Sequence, residues 1–148
     1  MPIKCVVNGY FRSGTSIIWK ILADNNPDLA VFYEPCHENL FHHLKRYDCA
    51  PSRDPLHQME LWAEYFRHEG LVDELRLEHP NLGRVLPSSS RSLCDYVSVF
   101  ERINRGAVLQ VNRWHFHLAV LAKAFHVPIV HVIRNPFDVY QSMQRAYF

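Results

Sequence analysis

Apolar residues fall into two rhythms along this chain. Short, mainly apolar runs stand at Ile3–Asn8, Leu29–Tyr33, Ala107–Val111 and Pro128–Ile133. Runs of this length, closed by turn residues, predict strands buried on both faces, as a parallel sheet requires. Helical spacing fills the intervals. Thr15–Asp24 carries Ile17, Ile18, Trp19, Ile21 and Leu22, and Asn25-Asn26-Pro27-Asp28 then stops it. Leu56, Met59, Trp62, Ala63 and Phe66 form a stripe that predicts a core-facing helix over Leu56–His68. Ser90 is a good N-cap for a helix through Leu93, Tyr96, Val97 and Phe100 that Gly106 ends. Trp114–Phe125 reads as another helix, and Asn135-Pro136 opens a last one, where the missing proline N–H does no harm. Cys36–Pro55 reads as irregular with one helical turn near Leu40–Leu44, and Gly70–Pro87 is weakly patterned. Strand and helix alternating over short connections predict an α/β fold: a three-layer sandwich with a central parallel β-sheet and right-handed crossovers. Residues 1–148 form one domain on this reading.

Composition narrows the function. With 148 residues there is room for one core, and 48% apolar residues argue for a folded chain. A net charge of +1 gives no field for a nucleic-acid or anionic-membrane partner. Twelve arginines against four lysines favour bidentate recognition of anions. Cys5, Cys36, Cys49 and Cys94 lack paired spacing and read as reduced thiols of a cytoplasmic protein. No stretch approaches the ~20 apolar residues of a membrane span. Cys36, His37, His42, His43 and Cys49 lack the tight pairs of a zinc site, so no metal is expected.

Two segments carry the chemistry. Gly9-Tyr-Phe-Arg12-Ser13-Gly14-Thr15-Ser16 follows the first strand and opens the first helix, the layout of a phosphate-cradling loop. Its glycine spacing matches a Walker loop, but Thr15 stands where lysine belongs and the cation has moved to Arg12. The loop therefore expects a phosphate-like ligand and speaks against ordinary ATP or GTP hydrolysis. Arg134 closes the last strand and Ser142 lies about two helical turns further on, a pair fit to grip a second phosphate.

Arg12-Ser13-Gly14-Thr15-Ser16 resembles the 5′-phosphosulfate loop of the sulfotransferases, and Arg134 to Ser142 resembles their 3′-phosphate motif, in the same order. The resemblance implies a P-loop NTPase-like sulfotransferase fold, shortened at its C-terminal end. It implies 3′-phosphoadenosine-5′-phosphosulfate (PAPS) as donor, no metal, and transfer of the sulfuryl group to a hydroxyl or amine of a small-molecule or carbohydrate acceptor. Arg12 would contact the phosphosulfate bridge, with Ser13, Gly14, Thr15 and Ser16 as further donors. Arg134 and Ser142 would hold the 3′-phosphate. Glu34, in Phe32-Tyr-Glu-Pro35, stands where carbohydrate-directed members carry their base. His115 is the rival base, by likeness to the branch that uses a histidine after a middle strand. Gln110 stands near that branch's lysine, which leaves Arg113 to supply a cation there.

Two other readings stay open. One is a non-catalytic adenosine-bisphosphate-binding module or remnant. The other is a P-loop kinase relative, with Asp138 as its magnesium ligand, although a dipole-favoured place in the first helical turn explains Asp138 more simply. An unfinished sheet would leave an edge for oligomer formation.

Overall fold

The structure is a computed structural model that describes residues 3–49, 59–79, 90–112 and 114–147. Four strands, β1 (Ile3–Gly9), β2 (Leu29–Tyr33), β3 (Gly106–Val111) and β4 (Ile129–Val132), form one sheet in the order β2-β3-β1-β4. Every neighbouring pair is parallel, as the short apolar runs predict. β3 is buried along its whole length, whereas edge strand β4 leaves Val130 exposed.

Strand alternation sends side chains to two faces. Val7, Val31 and Val108 point to one, where helix α1 (Thr15–Asn25) covers them with Trp19. The Trp19 indole N–H donates to the Val31 carbonyl at 2.9 Å, which ties the helix to the sheet. Val6, Phe32, Leu109 and Val111 point to the other face. There they meet α2 (Leu40–Cys49), α3 (Leu71–Glu78), α4 (Ser90–Ser98) and α5 (Leu118–Phe125). The chain crosses the sheet one way from β1 to β2 and the other way from β2 to β3 and β4. Crossovers of one hand then put α1 on one face and α2–α5 on the opposite face. Helix α6 (Pro136–Tyr147) follows β4, with the Asn135 side-chain oxygen accepting the Phe137 N–H at 2.9 Å.

Four expectations change. Helix Leu56–His68 is absent from the described part of that range, which holds a turn at Leu61–Trp62 and a 3-10 helix over Ala63–Arg67. Leu61 packs with Trp19 on one face of the sheet, and Tyr65 packs with Phe32 on the other. A segment that wraps the β2 edge to serve both faces cannot be one straight helix, so Tyr65 is buried and Phe66 is exposed. The helix from Ser90 ends at Ser98 and runs into a 3-10 turn over Val99–Arg102, while Gly106 opens β3. A Cβ at Gly106 would stand 2.8 Å from Lys4 Cγ, so the glycine serves strand packing and not helix termination. The weakly patterned stretch after Gly70 holds α3, and the helical turn at Leu40 extends through Cys49.

Candidate functional site

The carboxyl ends of β1 and β3 lie side by side, and their connections leave toward opposite faces of the sheet. That divergence opens a crevice of the kind in which parallel sheets bind ligands. Residues 10–14 enter it from β1. The Ser13 N–H and hydroxyl both bond the Tyr10 carbonyl, at 3.0 and 2.5 Å, which makes the loop tight. Arg12 (φ 64°) and Gly14 (φ 99°) lie in the left-handed region, one of them without glycine's freedom. Gly9 is obligatory for a different reason: a Cβ there would come within 2.6 Å of Ser13 Oγ and Thr15 Cγ2. Gly14 then caps α1, whose first N–H groups have no intrahelical acceptor and open on the crevice.

The two motifs meet. Arg12 Nε donates to Ser142 Oγ at 3.0 Å, and Arg134 Nη1 donates to the Arg12 carbonyl at 3.2 Å. All three line a cavity of about 360 Å³ together with Gly14, Ser16 and Glu34. Among the described residues, neither arginine has a carboxylate within ion-pair distance. Two guanidinium groups on one cavity, neither ion-paired among the described residues, are chemically suited to hold an anion, with the Glu34 carboxylate on the same cavity.

Glu34 lines the same cavity, and the chain holds it firmly. Its φ of 40° is a strained value for a residue with a side chain. Tyr65 OH donates to the carbonyl of the preceding Tyr33 at 2.8 Å, and Tyr96 OH donates to the carbonyl of the following Pro35. Both tyrosines are completely buried, and that burial pushes their hydroxyl pKa well up, so they stay neutral donors. The Glu34 N–H donates to Gln110 Oε1 at 3.3 Å, and Asn112 Nδ2 donates to Glu34 Oε1. The Glu34 Oε2 atom lies 3.9 Å from His37 Nε2. Trp62 and His43 stack beside it, 5.1 Å apart and near parallel, on the same cavity. Burial lowers the His43 pKa, with the nearby His42 and Arg46 acting in the same sense.

Not every expected donor points at the ligand space. The Ser13 hydroxyl is spent on Tyr10, and the Thr15 hydroxyl donates to Asn112 Oδ1 at 2.7 Å. Ser16 Oγ is 3.0 Å from Tyr33 OH. The loop therefore offers mainly backbone N–H groups and Arg12.

His115 does not share the cavity of Glu34. It lines a second, apolar cavity of about 600 Å³ with His131, Leu118, Val139 and Met143. The buried Asn8 bonds both imidazoles: its Oδ1 lies 2.8 Å from His115 Nδ1 and 2.9 Å from His131 Nδ1. Since Asn8 Nδ2 donates to the Val111 carbonyl, that oxygen can only accept, and each ring must donate from Nδ1. Burial and then His131 lower the His115 pKa. Asp138 lies exposed in the first turn of α6. Arg113 lies outside the described residues. Among the described residues no three of His, Cys, Asp and Glu gather as a metal site, and the Cys49 side chain lies outside them. In the sequence Gln110 only stands near a lysine position and Asn112 suggests no role, because single amides at a strand end leave no periodic signal that would tie them to Glu34.

No protein-family profile and no solved structure matches the chain. It is 33% identical, over 149 aligned positions, to an uncharacterised protein of Archaeoglobus fulgidus. The match takes in 93% of this chain, which spans about half (46%) of the length of that relative. Among the described residues no helix is long and apolar enough to cross a membrane.

Proposed function

We propose that the crevice binds 3′-phosphoadenosine-5′-phosphosulfate and that the chain carries the donor site of a sulfotransferase with a P-loop-like fold. The observation that carries this reading is the convergence of Arg12 and Arg134, 122 residues apart in sequence, on one cavity faced by Glu34. The strand order, with the anion loop after a central strand, supports it. The phosphosulfate lies on the loop N–H groups and Arg12, and the 3′-phosphate on Arg134 and Ser142.

In sulfuryl transfer the bond from sulfur to the bridging oxygen breaks while the acceptor oxygen or nitrogen bonds sulfur. Negative charge grows on the leaving phosphate, where Arg12 and the α1 N-terminus stabilise it. Glu34 takes the acceptor's proton. The acceptor, a small molecule or carbohydrate, approaches past His37 and Trp62.

Thermal unfolding tests donor binding. Adenosine 3′,5′-bisphosphate at ~100-fold excess over its Kd adds about 2.7 kcal/mol of stability, and ATP with magnesium adds much less. Equal stabilisation by the two nucleotides contradicts the reading.

A further inference from the structure

Three hydrogen bonds close a ring around Glu34. The Glu34 N–H donates to Gln110 Oε1 at 3.3 Å, Gln110 Nε2 donates to Asn112 Oδ1 at 2.8 Å, and Asn112 Nδ2 returns to Glu34 Oε1. The amide orientations follow from chemistry. A backbone N–H only donates, so the Gln110 oxygen must face it; the Gln110 nitrogen then faces an oxygen, and the Asn112 nitrogen is left for the carboxylate. Thr15, which donates to the same Asn112 oxygen at 2.7 Å, fixes that orientation again and joins the ring to the anion loop. All of this is out of solvent: Gln110 is 0% exposed, Thr15 2%, and Glu34 and Asn112 6% each. Buried amides cost free energy unless every polar atom finds a partner, so two adjacent ones at a strand end need a reason.

We infer that Gln110 and Asn112 are positioning residues that hold the backbone and carboxylate of Glu34 in place and, through Thr15, make Glu34 respond to an anion on the loop. The inference rests on the donor-site reading for its second half only. Asn112 hydrogen-bonds the charged form of Glu34, and Gln110 sets both the strained Glu34 backbone and the orientation of Asn112. An anion that draws on the N-terminus of α1 pulls on Thr15, and the ring passes that movement to the carboxylate.

The test is a carboxyl-carbon NMR titration of the whole chain labelled at glutamate, with the Glu34 signal identified by its loss in Glu34→Gln. In Asn112→Ala the titration midpoint of Glu34 rises by about one pH unit or more, a tenfold or larger gain in proton affinity. Gln110→Ala shifts it the same way and serves if Asn112→Ala does not fold. A midpoint equal to wild type in the folded variant overturns the positioning role. Adenosine 3′,5′-bisphosphate moves the Glu34 signal in wild type and moves it much less in Asn112→Ala, with binding followed by calorimetry. Equal movement in both overturns the coupling. If the bisphosphate binds neither protein, the donor-site reading fails, and the pH titration alone still decides the ring.

Discussion

Arg12 and Glu34 both hold positive φ, at 64° and 40°, and both face the same cavity. Strain of this kind costs roughly 1–3 kcal/mol per residue and persists only where the surroundings over-determine it. Around Glu34 they do: Tyr65 and Tyr96 fix the carbonyls on either side, and Gln110 fixes the N–H. His115 makes a separate statement, about pH. Its pKa is lowered in the folded protein, first by burial and then by His131, while in the unfolded chain it returns to about 6.5. The unfolded state therefore binds more protons as pH falls through that value, and this part of the stability, intact above it, is lost below. The melting temperature drops between pH 7.5 and 5, and His115→Gln makes the drop shallower. An unchanged slope in the variant contradicts the assignment.

At the scale of elements, the four strands with apolar runs and the helix after the loop were legible to within a residue or two. Their burial on one or two faces leaves a strong periodic trace, and Asn135-Pro136 marked the start of α6 for a local steric reason. The 59–67 stretch was misread because its apolar residues divide between two faces of the sheet, which mimics a helical stripe. Helix α1 owes its place to Trp19, 5% exposed and bonded to Val31. Trp19→Ala costs about 3–5 kcal/mol in denaturant unfolding, as large aromatic deletions from cores do. A loss below ~1 kcal/mol means that α1 is held otherwise.

For the whole molecule, the site was legible where a motif needs particular residues in a particular loop: Gly9, Arg12, Gly14, Arg134 and Ser142. It was not legible where tertiary contacts decide. Nothing in the sequence says that Asn112 reaches Glu34 across 78 positions, or that Asn8 draws His115 and His131 to a different cavity from Glu34. Short β–α connections explain why the ends meet: β1 and β4 are neighbours, so the loop after one and the helix after the other share a corner. At that corner, on the proposed function, two arginines grip two phosphates of one nucleotide. Calorimetric titration of wild type and Arg134→Ala with adenosine 3′,5′-bisphosphate and with adenosine 5′-phosphosulfate tests it most directly. Arg134→Ala is expected to weaken the bisphosphate at least tenfold, about 1.4 kcal/mol or more, and to leave the ligand without a 3′-phosphate nearly unchanged. Equal weakening of both ligands, or of neither, contradicts it.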